Sequence, residues 1–263
     1  MKLLERSIGV IDRRLVLLAP DGARPEGFAN LAIDAHRRRE LIREMQRLRG
    51  HIYFSQGSIQ AHQLSDGMHQ TPEDEKSWHL LMLNKEGRVN ACAWYLPHPN
   101  TTSIQDLRVR HCPLIEQEGW REKVQGAVES EIARARRDAL RYAEVGGWAV
   151  SRESRCTSEG LLLALAAYSL SRLLGGALGI TTATVEHCSS RILRRLGGSY
   201  LEYEGKSIPA YHDPRYNCDI ELLRFDSRRP NPRYAGLIEL MKSKLADVSV
   251  VAGSVQECTL SAA

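Results

Sequence analysis

No apolar run in these 263 residues is long enough to cross a bilayer. The first residues also lack the basic stretch and apolar segment of an export signal. The expected location is therefore the cytoplasm, with no transmembrane segment. The six cysteines, Cys92, Cys112, Cys156, Cys188, Cys218 and Cys258, stand singly with no C-x-x-C pair. That spacing argues against a zinc knuckle and for free thiols, and no metal site is expected. There is no internal repeat and no low-complexity tract. Excess charge of one sign is small as well. A net charge of +4 does not point to a nucleic-acid partner. What remains, 43% hydrophobic and 26% charged residues, is enough to bury a sizeable soluble core.

The pattern along the chain divides it into three segments. Residues 1–27 alternate weakly and read as an N-terminal arm or hairpin, closed by the Pro20-Asp21-Gly22 turn. Residues 28–226 carry the periodic elements of a main domain. Residues 227–263 read as a connector, a short helix at 235–245 and a frayed tail from Asp247. In the main domain, helical spacing runs over 28–48, and Ile52-Tyr53-Phe54 reads as a first strand. A hairpin is expected at 78–96, with Asn84-Lys85-Glu86-Gly87 as its loop. A long amphipathic helix is expected over 113–142. The fold class is mixed α/β: a mostly antiparallel sheet that turns parallel at one crossover, flanked by helices.

The crossover, residues 142–198, carries the chemistry. It reads as a strand at 142–150, a turn at 151–160, an apolar helix ending at Gly175-Gly176, a strand at 177–185, and a basic helix ending at Gly197-Gly198. A turn feeding a helix N-terminus gathers unpaired backbone N–H groups at the positive end of the helix dipole, a place for a phosphate. Arg152 and Arg155 lie beside it. Glycine weakens strand interiors, so Gly146-Gly147 marks a bulge or a close packing contact, with the bulge expected.

Arg155-Cys156-Thr157-Ser158-Glu159-Gly160 resembles the R/Q-x-x-G-x-G/A loop of the GNAT superfamily of N-acyltransferases. Val150 falls where that family's strand meets pantetheine, and residues 192–197 resemble a later helix ending. The resemblance spans roughly residues 40–226. Within it, residues 49–95 resemble the autoinducer synthases and long-chain N-acyl amino acid synthases. The matching residues are Asp66-Gly67, Asp74, 77–83 and 87–92. Glu144-Val145-Gly146-Gly147-Trp148 stands where autoinducer synthases carry E-x-[S/T]-R-F. The missing arginine argues against a homoserine-lactone product.

The resemblance implies a GNAT-like sheet with a splayed parallel pair. It also implies transfer of an acyl group, fatty in the expected reading, from a thioester to an amine such as an amino acid or a peptide amine. Val150, Arg155, Cys156, Thr157, Ser158, Glu159 and Gly160 would hold the donor's phosphopantetheine. Ser158 replaces a family glycine, and Glu159 sets a negative charge at the loop. A carboxylate there disfavours a diphosphate unless it turns away, so acyl carrier protein is preferred over acyl-CoA as donor. The basic residues Arg191, Arg194 and Arg195 would meet such an acidic carrier; a solvated helix face is the other reading.

For proton transfer the candidates are Glu144, otherwise a carboxylate paired with an arginine, and His79, otherwise a satisfied core histidine. Trp94 and Trp148 would wall the acyl channel, otherwise the core. Leu193 stands where many GNAT enzymes carry a thiolate-protonating tyrosine, which leaves Tyr203 or Tyr211 for that role. No permanently bound cofactor is expected. The alternatives are an acyl-CoA-dependent N-acyltransferase and a non-catalytic module that binds acyl-thioesters.

Overall fold

A computed structural model describes residues 1–23, 25–155 and 157–253. In chain order the elements are α1 (Lys2–Gly9), β1 (Leu15–Leu18), β2 (Asn30–Ile33), α2 (Ala35–Ser55), β3 (Trp78–Leu83), β4 (Val89–His98), α3 (Arg121–Arg137), β5 (Arg141–Val150), α4 (Glu159–Leu173), β6 (Ala177–Thr184) and α5 (Ser189–Leu196). Then follow the short strands β7 (Ser199–Tyr200), β8 (Glu202–Tyr203), β9 (Lys206–Ser207) and β10 (Tyr211–Asp213). The chain closes with β11 (Cys218–Asp226), α6 (Pro232–Leu245) and β12 (Ser249–Ala252). The main sheet runs β10-β11-β6-β5-β4-β3-β1-β12-β2, with β7 also on β11. Three of its pairings are parallel, β5 with β6 and β12 with both β1 and β2. The rest are antiparallel, so the mixed α/β sheet expected from the pattern is the one observed.

Alternation sorts the helices onto two faces. Trp78, Leu80, Met82, Tyr95 and Ala143 join the core under α4 and α6. Leu81, Cys92 and Ala149 meet Leu41, Ile42 and Met45 of α2 on the other face. Farther along that second face, Tyr142, Ile180 and Leu222 meet Val124 and Val128 of α3. Successive strand residues point to opposite faces, so each strand supplies both cores.

Five expectations need correction. The start of the chain, read as an alternating arm or hairpin, opens with the helix α1, and the helix expected over 113–142 is confined to Arg121–Arg137, with Pro113–Glu116 a short 3-10 turn and β5 already begun at Arg141. Ile52-Tyr53-Phe54 is the last part of α2, not a strand. The apolar stripe of Leu41, Met45 and Ile52 continues helical burial past the point where strand propensity would break it. The helix expected over 28–48 begins at Ala35, because the Asp34 side chain accepts the Arg37 N–H at 2.8 Å and residues 30–33 pair with β12. Nor is the chain frayed over 247–253; the rest of that expected tail lies outside the described residues. Val248, Val250 and Val251 are buried, and β12 lies between β1 and β2. The expected arm and tail thus pair with each other inside the sheet. The hairpin turn stands as expected, with Asn84 Oδ1 accepting the N–H groups of Glu86 and Arg88. Among the described residues no helix is long and apolar enough to cross a membrane.

Candidate active site

The site begins with a break in sheet pairing. β5 and β6 run in register from Arg141↔Ala177 to Val145↔Thr181 and then part. β4 and β5 stay together, but the register shifts between Cys92↔Ala149 and Trp94↔Gly146. That shift leaves Gly147 and Trp148 opposite the single residue Ala93, a bulge on β5. Gly147 has φ +63°, and a Cβ there would lie 2.2 Å from Trp94 Cδ1. The bulge expected at the paired glycines is therefore present, and the close neighbour is the Trp94 ring. A bulge adds local twist, which turns β5 away from β6.

The gap opens into a cavity of about 610 Å³ that passes through the sheet. On the α4 side its wall is apolar: Leu163, Ala164, Ala167, Leu193 and Leu223, ending at Tyr168 and Phe225, whose rings lie 6.0 Å apart. On the α2 side it is polar: Arg49, Tyr53, His69, Thr71, Arg108 and Tyr216. Arg155, Thr157, Gly160 and Arg191 also line it. Thr157 Oγ1 takes the Glu159 N–H at 3.2 Å. The N–H groups of Gly160 and Leu161, at the start of a 15-residue helix, remain for a ligand among the described residues.

The expected site residues divide accordingly. Val150, Arg155, Thr157, Gly160, Trp94 and Trp148 line the cavity, whereas Cys156 lies outside the described residues. Ser158 caps the helix through its backbone and does not line the cavity. Glu159 does not line it either. Its Oε1 takes a hydrogen bond from Arg14 at 2.5 Å on the far side of the helix start, and the carboxylate is buried. The charge that was to repel a diphosphate is turned away and paired, so that ground for preferring a carrier protein falls.

Glu144 lines a small pocket of about 50 Å³ that shares Trp94, Arg108, Val145 and Tyr216 with the main cavity. Both its oxygens are engaged: Oε1 accepts the Arg108 backbone N–H at 2.9 Å, and Oε2 meets His98 Nε2 at 3.0 Å. His79 lines neither space. It is fully buried, with Nε2 2.7 Å from the Asp74 carbonyl. Burial pushes it down to about 4, so it packs as a neutral core histidine. Tyr203 lies over Gly126, away from the cavity, and Tyr211 lines only the small pocket.

Sequence reasoning missed the polar wall. Arg49 is 1% exposed and grips Asp74 through two hydrogen bonds of 2.9 and 2.7 Å. Asp74 also accepts from Gln46 Nε2 and from the Thr71 N–H and hydroxyl. Burial works to raise the Asp74 carboxyl, but the Arg49 hydrogen bonds and charge outweigh it and hold the group at about 2. Arg108 pairs with Glu73 and sits over the Trp94 ring, 5.6 Å from its centre. The Tyr53 hydroxyl donates to the Trp148 carbonyl at 3.3 Å, which ties the polar wall to the bulge. The match at Asp74 was the one signal that this region mattered, since a buried carboxylate needs a partner.

No protein-family model matches the sequence, and no curated protein does. Solved structures do match in three dimensions. BjaI, a CoA-dependent acyl-homoserine lactone synthase solved with SAM and isopentyl-CoA, aligns over 92% of this chain and 93% of its own, at 16% identity and a TM-score of 0.54. TofI, solved in a ternary complex with an inhibitor and MTA, aligns over 88% of this chain and 98% of its own, at 14% identity and a TM-score of 0.52. The chain therefore shares the fold of BjaI and TofI, a mixed sheet whose parallel pair splays.

Proposed function

We propose that this protein is an N-acyltransferase that moves an acyl group from a pantetheine thioester to an amine. The observation that carries the reading is the splay of β5 from β6, with one cavity running through it from an apolar wall to a polar one. Beyond Val145, the edge of β5 that faces β6 has no strand partner among the described residues, which leaves its backbone groups for an extended pantetheine arm and a thioester carbonyl. The acyl chain lies along Leu163, Ala167 and Leu223. The acceptor enters from the side of Arg108 and Tyr216. Such an arrangement brings the two reactants together at the gap, and that proximity lowers the barrier to acyl transfer between them. The fold that this chain shares with BjaI, whose structure holds isopentyl-CoA, supports the donor class.

Acyl carrier protein remains the donor that we favour, on different grounds from Glu159. Arg191 at the cavity mouth and Arg195 beside it are exposed on α5, a basic face for an acidic carrier. Acyl-CoA is the second reading, favoured by the paired Glu159. The homoserine-lactone product remains disfavoured by the missing arginine. We assign Glu144 to holding the Arg108 turn and His98 in place, because each oxygen already has a hydrogen-bond partner and the side chain does not line the main cavity.

Arg155 has no acidic partner among the described residues and stands at the α4 N-terminus. Arg155→Ala should weaken binding of decanoyl-CoA and of decanoyl carrier protein alike, because both present a pantetheine phosphate. The loss should be about 1.5–3 kcal/mol, one charge-assisted contact, read by calorimetric titration. Equal affinities in parent and variant would remove Arg155 from the donor site.

A further inference from the structure

Two histidines line the cavity among the described residues, His187 near the start of α5 and His69 on the polar wall, and the backbone of His69 is fixed by its neighbours. The Asp66-Gly67 turn, with φ of 49° and 72°, folds residues 65–68 back against α2. Gly50 admits it: a Cβ there would lie 2.5 Å from the Gly67 carbonyl and 3.1 Å from the His69 nitrogen. The His69 N–H then donates to the Gln46 carbonyl at 3.1 Å, and its own carbonyl accepts from Arg49 Nη2. The backbone is fixed on both sides, whereas the side chain is not satisfied. The residue is 9% exposed, Nδ1 is buried without a partner, and the ring makes no hydrogen bond among the described residues. It stands edge-on to Tyr53, centroids 5.5 Å apart, and the Tyr53 hydroxyl reaches the bulge at Trp148.

We propose that His69 is a catalytic residue, the group that takes the proton from the acceptor amine; this rests on the acyl-transfer reading above. The amine nitrogen attacks the thioester carbonyl, the C–N bond forms, and an N–H proton passes to imidazole Nε2, the ring nitrogen that, unlike Nδ1, is not sealed off and has no partner among the described residues. The tetrahedral adduct collapses, the C–S bond breaks, and the imidazolium returns that proton to the departing thiolate. Amide and free thiol are the products, and no further reactant is needed. This route also accounts for Leu193, since the proton reaches the thiolate without a tyrosine on α5. The charged and titratable groups around the ring are Arg49 and Tyr53 from α2, Asp74 from its own loop and Arg108 from the turn between β4 and α3. Burial first, and then the Arg49 charge, lowers His69 to about 4, so the imidazole is neutral at pH 7 and acts as a weak base.

The test uses decanoyl-CoA as donor and hydroxylamine as a small neutral amine, with hydroxamate and free thiol both measured as the excess over the same mixture, imidazole included, without protein. His69→Gln should lower turnover roughly 10²–10⁴-fold with the donor KM within about twofold. His69→Ala should regain part of its rate on addition of free imidazole, which a packing role would not allow. Near-parent turnover in His69→Gln, or no imidazole rescue of His69→Ala, would overturn the assignment and leave the acyltransferase reading standing. A parent protein that forms no hydroxamate from decanoyl-CoA or from decanoyl carrier protein would overturn both.

Discussion

Asp74→Ala should cost the fold about 3–5 kcal/mol, read as a fall in the urea midpoint. The reason is what the substitution leaves behind. Arg49 is buried in the middle of α2, and Asp74 supplies two of its hydrogen bonds and all of its adjacent countercharge. Removal of the carboxylate strands a guanidinium that cannot reach water and cannot readily lose its proton. Gln46, Thr71 and the turn that carries His69 lose their anchor at the same time. A surface pair gives the contrast. Arg37 and Glu40, on the exposed face of the same helix, lie 3.4 Å apart, and Glu40→Ala should change stability by no more than about 0.5 kcal/mol. If the two substitutions shift the midpoint equally, the Arg49–Asp74 pair does not hold the polar wall.

Gly147→Ala should abolish most of the transfer activity, by roughly 10²-fold or more, because it moves the walls of the gap by about an ångström. Two effects act at this position and they differ in size. The left-handed backbone, φ +63°, costs an alanine about 1–2 kcal/mol wherever it occurs. The collision is the larger effect. The new Cβ would lie 2.2 Å from Trp94 Cδ1 and 2.5 Å from its Nε1, so the ring or the bulge has to move. Trp94 lines both spaces and lies beneath Arg108, which carries the displacement to the acceptor side. Gly87→Ala separates the two. Gly87 has φ +74° in the hairpin turn, and no atom lies within 4 Å of the added Cβ. That variant should lose only the conformational cost and keep parent turnover. A Gly147→Ala enzyme as active as Gly87→Ala would mean that the bulge does not shape the site.

The parts of this fold that were legible in the sequence are those whose signals are local. The strand, turn and helix at 142–173 follow from an apolar strand, paired glycines and an apolar helix start, all within one stretch. The hairpin at 78–98 follows from alternation around a turn with asparagine and glycine. The strands at 30–33 and 249–252 were not legible. Each is only four residues long; the first pairs only with the second, and the second also with β1, across more than two hundred residues. The same limit hid the polar wall. Residues 56–76 have no period, so nothing in them marks His69 until the Asp66-Gly67 turn lies on Gly50. Glu159 erred in the other direction: its charge was legible, but its direction depended on Arg14, 145 positions earlier.

The central claim, that an acyl-pantetheine thioester occupies the gap between β5 and β6, is tested most directly by amide NMR on the unaltered protein. The ligand is a decyl pantetheine phosphate thioether, which keeps the chain and the arm but cannot transfer. The account predicts saturable binding, with the largest shifts at Gly146, Gly147, Gly160, Leu161 and Thr182, which line the two sides of the splay and the α4 start. Saturable binding that leaves those amides unmoved, or no binding at all, would contradict it.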